Sequence, residues 1–150
     1  MRIAFTEELQ FISDQLVEMA GLTAAALDQA TTALLESDLD QAEAVISADE
    51  HIDAVRRDLD TRAVDALARQ QPVATDLRTL VTAMRMSADL ERMGDLARHV
   101  AKLARLRYPH QVLPESLTPT FTRMAEVAEA LVNEAARIIK DNDVEAVVRR

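Results

Sequence analysis

The chain has 150 residues, of which 49% are hydrophobic and only 3% are aromatic, with two glycines and no cysteine. This length is sufficient for one domain with a substantial core. Abundant Ala, Leu, Val and Met with so little glycine favours helices packed on helices. The lack of cysteine excludes disulfides and thiolate metal sites.

The formal net charge is −9, from 26 acidic and 17 basic residues. Such an acidic chain disfavours binding to nucleic acid or to an anionic membrane, and favours cations or basic partner surfaces. No apolar run approaches the roughly 18 residues that a membrane span needs, and the N-terminus MRIAFTEELQF is too polar for a signal peptide. We therefore expect a cytoplasmic protein without nucleic acid partners or membrane insertion.

Three long helices are predicted before the first proline-rich connector. Apolar residues at helical spacing define the first helix over 5–35. It ends at ESDLDQ, where Ser37 and Asp40 have the spacing of a capping box that would begin the second helix. That helix ends at QQP, 70–72, because proline cannot continue a helix interior. The third helix is predicted over 73–106.

The segment YPHQVLPESLTP contains three prolines and is predicted to be a connector. Thr118 before Pro119 is a suitable N-cap followed by a suitable first-turn residue, so a fourth helix is predicted from there to about 140. The segment DNDVEAVVRR would begin a fifth. Long helices with short connections are typical of an antiparallel bundle.

An internal repeat at an offset of 105 residues relates the first helix to the fourth. The apolar positions that recur are Leu16, Met19, Ala20, Leu22, Ala30 and Leu34, which fall on Phe121, Met124, Ala125, Val127, Ala135 and Ile139. The acidic turn at 36–40 also recurs, at 141–145. We therefore predict an all-α protein with one complete three-helix repeat at 1–107, a connector at 108–118 and an incomplete second repeat at 119–150. Such a chain would be a fragment or a shortened relative of a longer protein.

Two pairs of carboxylates have i, i+4 spacing: Asp49 and Asp53 on the second helix, Glu91 and Asp95 on the third. This spacing places both members of a pair on one helical face, and four converging carboxylates would bind a hard or borderline cation. The spacing alone is a weak signal. Chance gives about four such pairs in so acidic a chain, and this sequence has five. By spacing alone, a solvated acidic face is the better interpretation.

The third helix carries two further features around these carboxylates. The line of Leu77, Leu80 and Met84 leads by helical steps to Glu91 and Asp95, while a different line is apolar in the second half. We therefore expect the buried face to change halfway along. Gly94, between the two carboxylates, costs a helix about 1 kcal/mol relative to alanine. It predicts close approach by a neighbouring helix or a bound ion.

The segment QQPVATDLRTL, followed by SADLERMGDLARHVAK, resembles the PhoU family, the accessory regulators of bacterial phosphate-specific transport. The family pattern combines a QxP turn, a DLR helix start and a (D/L)ER(I/M)GD segment. It also has an (E/D)xxxD motif on each of two helices per repeat, matched here at 49–53 and 91–95. The resemblance covers the whole chain, and the family has two three-helix units in tandem.

This resemblance implies a homodimeric regulator without catalysis. It would contact the phosphate transporter's ATPase subunit and the membrane-bound phosphate-sensor histidine kinase, so that the phosphate regulon is repressed when phosphate is plentiful. The family's metal motifs fall on Asp49, Asp53, Glu91 and Asp95. The implied metals are iron or zinc, with manganese or magnesium as further candidates.

Several alternatives stay open at this point. The family's usual asparagine is His99 here, which is either a further ligand or, as we favour, an exposed helix residue. Arg57, one turn after Asp53, could neutralise that carboxylate and compete with metal. A metal-free adaptor of the same fold is the main alternative function. A phosphotransfer domain using His99 is weaker, and a ferritin-like enzyme is disfavoured because no histidine follows a glutamate by three residues.

Overall fold

The computed structural model describes residues 2–141. Within that range the chain forms four α-helices and one short 3-10 helix, with no strand. The elements are α1 Arg2–Glu36, α2 Leu39–Gln70, α3 Ala74–Arg107, the 3-10 helix Glu115–Leu117, and α4 Thr118–Asp141. The predicted all-α fold is confirmed, and each helix begins and ends within a few residues of its predicted limits. The predicted fifth helix lies outside the described residues.

Helices α1, α2 and α3 form a bundle in which each helix contacts the other two. Their connections are short, so consecutive helices run antiparallel. Burial of large aliphatic side chains stabilises the bundle by about 1.5–3 kcal/mol each. The largest apolar side chains that are almost fully buried are Ile12, Met19, Val45, Ile52, Leu59 and Leu80. None of the described helices has the length and apolar content to cross a membrane.

The turn between α1 and α2 differs from its prediction by one residue. Ser37 has a left-handed backbone, with φ at 53°, and is not the cap. Asp38 is the N-cap of α2 instead, and its carboxylate accepts a hydrogen bond from the Gln41 backbone N–H at 3.1 Å. The Asp38 N–H in turn donates to the Ala33 carbonyl at 3.2 Å, which closes α1. The capping-box interpretation of Ser37 and Asp40 is therefore wrong.

Helix α3 keeps one buried face along its length, so the predicted change of face is also wrong. Leu77, at the start of the predicted line, is exposed. The buried positions follow alternating steps of three and four residues: Leu80, Ala83, Ser87, Leu90, Gly94, Ala97, Ala101 and Ala104. Most of these residues are small, and a pattern based on large apolar side chains does not detect them.

Helix α4 lies against α1 and, among the described residues, contacts neither α2 nor α3. Its only buried residue in that range is Val132. Met124, Val127 and Leu131 of α4 are exposed. Met124 is 61% exposed, whereas Met19, its counterpart in the 105-residue repeat, is 0% exposed. The repeat positions are therefore mostly buried on α1, whereas on α4 Met124 and Val127 are exposed and the other four are half-buried.

Candidate metal centre

A line of polar residues runs along the contact between α2 and α3. Because the two helices are antiparallel, residues further along α2 face residues nearer the start of α3. The facing pairs are Asp49 with Arg98, Asp53 with Asp95, Arg56 with Glu91, and Asp60 with Ser87. We call this line the polar seam. It contains all four carboxylates that the sequence predicts as metal ligands.

Three of those four carboxylates converge. Oxygen atoms of Asp49, Asp53 and Asp95 all lie within 4.8 Å of one another. Asp49 is buried, with a side chain only 3% exposed, and the other two are half-buried. The two α2 residues share a face because they are one helical turn apart, and Asp95 approaches from α3. We call these three residues the acidic site.

Two oxygen atoms of the acidic site lack hydrogen bonds. Asp49 Oδ1 and Asp53 Oδ1 are both buried, and no group of the described protein donates to either. A buried acceptor left in this way costs about 1–3 kcal/mol. Carboxylate oxygens are the ligands that hard divalent cations prefer. The three residues therefore fit a divalent cation, which would satisfy both oxygen atoms at once.

The environment of Asp49 disfavours its charged form. Burial raises the pKa of Asp49 above its ordinary value of 3.8, and the negative charges of Asp53 and Asp95 raise it further. Arg98 acts in the opposite direction but does not reverse the shift. A bound cation would favour the ionised carboxylate, so protons and metal compete for this site.

Glu91, the fourth predicted ligand, lies apart from the acidic site. Its carboxylate forms an ion pair with Arg56 of α2. Arg56 also lies near Asp60, with 3.3 Å between Arg56 Nε and Asp60 Oδ2. The structure thus places Glu91 one helical turn away from the converging carboxylates, beside an arginine. Its role as a ligand stays a prediction.

Arg98 is the residue of this site that the sequence analysis did not identify. Its Nη1 lies 3.2 Å from Asp49 Oδ2. The available signal was its position three residues after Asp95, which places both on one face of α3. Arg57, the predicted neutralising residue, is exposed and has no ion pair within residues 2–141. His99 is exposed, as favoured from the sequence.

Gly94 permits the close approach of α2 and α3 at the acidic site. A Cβ atom at this position would lie 3.2 Å from Ile52 Cδ1 and 3.7 Å from Asp49 Oδ1. The first distance is tighter than ordinary van der Waals contact, so a larger side chain would push the helices apart. The predicted close approach by a neighbouring helix is confirmed. It brings the α2 carboxylates within reach of Asp95.

Comparison with known proteins gives the same family from sequence and from structure. Residues 16–104 match the PhoU domain. The phosphate-specific transport system accessory protein PhoU homolog 2 of Mycobacterium tuberculosis is 46% identical over 145 residues, covering 97% of this chain and 68% of the relative. PhoU homolog 1 of the same species is 43% identical over 143 residues, covering 95% of this chain and 65% of the relative.

Two crystal structures share the fold. PhoU from Pseudomonas aeruginosa superposes with a TM-score of 0.85 at 28% identity, covering 97% of this chain and 69% of that one. The phosphate transport system regulatory protein PhoU from Streptococcus pneumoniae gives 0.77 at 25% identity, covering 89% and 62%. The chain spans about two thirds of the length of these proteins. From its domain match, its relatives and its fold, the chain belongs to the PhoU family.

Proposed function

We propose that this chain is an accessory regulator of phosphate-specific transport that acts through protein contacts rather than catalysis. The observation that carries the proposal is the 46% identity, over 97% of the chain, to a protein named as an accessory protein of that transport system. Long amphipathic helices present extended faces to partners, which suits an adaptor better than a small-molecule enzyme.

The proposed partners are the transporter's ATPase subunit, the phosphate-sensor histidine kinase and a second copy of the chain. Support comes from the formal charge of −9, which suits basic partner surfaces. The exposed apolar residues of α4 provide a second kind of contact surface. A role with these partners assigns the protein to the cytoplasm, where it would help to repress the phosphate regulon.

We further propose that the acidic site binds a divalent metal ion. Asp49, Asp53 and Asp95 would supply one oxygen ligand each, and Glu91 stays a fourth candidate. The unsatisfied oxygens of Asp49 and Asp53 support this proposal. An all-carboxylate set suits manganese or magnesium, while the family resemblance favours iron or zinc.

A metal-free adaptor is the second candidate function, and one observation favours it. Each of the two carboxylate motifs has an arginine in contact with one of its members: Arg98 with Asp49, and Arg56 with Glu91. These ion pairs neutralise part of the negative charge without any metal. In this alternative the polar seam fixes the register of α2 against α3, and the partner contacts are unchanged.

The regulatory role is tested by complementation. In a bacterium whose PhoU-family genes are deleted, a phosphate-repressed reporter should stay active in phosphate-rich medium. Expression of this chain should restore repression. The purified chain should also bind the purified ATPase subunit and kinase. Failure both to restore repression and to bind either partner would contradict the proposed function.

The metal role is tested by metal analysis of the purified chain after loading with iron, zinc or manganese and dialysis. We expect stoichiometric metal in the wild type and none in Asp53→Ala or Asp95→Ala. Asp58→Ala is the matched control, because Asp58 is an exposed carboxylate on the same helix. Metal-free wild-type protein after loading would favour the adaptor.

A further inference from the structure

Two arginines belong to the polar seam, and they differ in the number of carboxylates that they contact. Arg56 forms an ion pair with Glu91 and lies 3.3 Å from Asp60, so it has a carboxylate on either side. Arg98 has one ion-pair partner within the described chain, Asp49, at 3.2 Å. Neither Arg98 Nε nor Arg56 Nε has a hydrogen-bond partner among the described groups, so the difference lies in the number of carboxylates that each arginine meets. Arg98 is therefore the less constrained of the two guanidinium groups.

The positions of Arg98 and Asp49 also differ in their access to solvent. The Arg98 side chain is 32% exposed, whereas that of Asp49 is 3% exposed. A long arginine side chain at the protein surface can turn into water by rotating about its χ angles. The buried carboxylate has no such freedom. Of the two members of this ion pair, only Arg98 can therefore move away from the contact into solvent.

We propose that Arg98 is the exchangeable counter-ion of the acidic site. Its guanidinium contacts Asp49 when no metal is present, and it turns out to solvent when a divalent cation binds to Asp49, Asp53 and Asp95. This inference rests on the proposed metal binding and extends it to a residue outside the (E/D)xxxD motifs.

The physical basis is the cost of an uncompensated charge. A buried carboxylate without a counter-ion is strongly destabilising, so Arg98 stabilises the metal-free fold. A guanidinium that stayed beside a bound divalent cation would be repelled by it. Arg98 contacts Asp49 Oδ2, whereas Oδ1 is the oxygen left without a partner, so charge repulsion, and not competition for one oxygen, is what would displace the guanidinium. It follows that Arg98 lowers the metal affinity of the site and sets the metal concentration at which the site fills.

The experiment uses the full 150-residue chain and titrates it with Mn²⁺, counting free ion by electron paramagnetic resonance. Arg98→Gln, which removes the charge, should bind Mn²⁺ about tenfold more tightly than the wild type, since the positive charge that repels the cation is gone. Arg98→Lys keeps the charge and should stay within about threefold of the wild type. Arg105→Gln is the matched control on exposed α3 surface and should change the affinity by less than about twofold.

A second measurement observes the arginine itself. In ¹⁵N NMR spectra, the Nε–Hε signal of Arg98, assigned by its absence from Arg98→Gln, should shift when Mg²⁺ is added to the wild type. The signal of Arg56 should move less, because its ion pairs persist.

The outcomes separate this inference from the metal role itself. If the wild type binds Mn²⁺ and Arg98→Gln binds it no more tightly, the counter-ion exchange is wrong while metal binding stands. If Arg98→Gln loses binding but keeps its helical content, Arg98 supports the site rather than competing with metal, and the inference is again overturned. If no variant binds either ion, both the metal role and the inference fail.

Discussion

The polar seam has a paired half, formed by Arg56, Asp60, Ser87 and Glu91, and an acidic half, formed by Asp49, Asp53, Asp95 and Arg98. Both halves contain residues spaced by one helical turn. An arginine contacts both carboxylates of the paired half, whereas negative charge is in larger excess in the acidic half. In the paired half, Arg56 lies between Glu91 and Asp60, and the Ser87 hydroxyl donates to Asp60 Oδ1 at 3.2 Å. In the acidic half, three carboxylates share the single contact that Arg98 makes with Asp49. Glu91 and Asp95 form one i, i+4 pair, yet Glu91 lies in the paired half and Asp95 in the acidic half, so this spacing does not decide the role of a carboxylate. The residue facing it from the next helix decides whether the carboxylate belongs to a structural ion pair or to a candidate cation site.

The largest effect is expected from breaking the paired half. Arg56→Met should lower the free energy of unfolding by about 2 kcal/mol, because it leaves the largely buried Glu91 carboxylate without its counter-ion. Urea denaturation measures this change. Arg57→Met is the matched control, since Arg57 is exposed and its loss should cost less than about 0.5 kcal/mol. Equal stability of the two variants would show that the paired half does not stabilise the packing of α2 against α3.

A smaller effect of opposite sign is expected in the acidic half. Asp53→Asn should raise the free energy of unfolding of metal-free protein by about 1 kcal/mol, because it removes a like charge from beside Asp49. If the proposed metal role is correct, added metal should stabilise the wild type and should not stabilise this variant. Asp58→Asn, on the exposed side of α2, should do neither. A marked destabilisation by Asp53→Asn would show that the acidic half stabilises the metal-free fold, as the paired half does.

Gly94→Ala is expected to change stability by less than about 1 kcal/mol. Alanine gains about 1 kcal/mol in helix propensity, but its Cβ would meet Ile52 Cδ1 at 3.2 Å, so the isoleucine has to shift slightly. Gly21→Ala is the control, because nothing lies within 4 Å of a Cβ there, and it should show the full gain. If both variants gain equally in thermal melts, close packing at Gly94 does not limit the approach of α2 and α3.

The smallest expected effect is on the pH dependence of the free energy of unfolding, and the prediction concerns its direction. The raised pKa of Asp49 means that the folded state binds a proton more readily than the unfolded state. Its contribution to stability therefore falls as pH rises from the ordinary value of 3.8 through the raised pKa. Metal-free wild type should therefore gain stability relative to Asp49→Asn as the pH is lowered from neutrality towards 3.8. A relative loss over this interval would contradict the assigned direction.

The helices were predictable from sequence because their limits depend on local chemistry. Pro72 lies just after the end of α2, and Pro119 lies in the first turn of α4, since proline acts within one turn. Thr118 has helical backbone angles and follows the 3-10 helix directly, so its predicted role as the N-cap is wrong. The change of face on α3 was mispredicted because Gly94, Ala97 and its other small residues bury little area each, yet allow close packing. Small residues add little to the hydrophobic periodicity of a sequence, but they determine how closely two helices can pack.

The acidic site was predictable in part. Asp49, Asp53 and Asp95 were identified by the family motif, and the fold brings them together. The pairing of Glu91 with Arg56, and of Asp49 with Arg98, depends on the register between two helices. One turn of sliding would exchange these partners, and spacing within a single helix contains no information about that register.

The one-sided attachment of α4 has a consequence for hydrogen exchange. Because α4 contacts α1 but neither α2 nor α3 in the described part of the chain, it can open without disrupting the three-helix core. Its amide hydrogens should exchange through such local openings, at a lower free energy than global unfolding requires. Amides of α3 around Leu90, which lies in the core cluster, should exchange only when the bundle unfolds. The polar seam therefore belongs to the slowly exchanging part of the molecule, and α4 to the part that opens first.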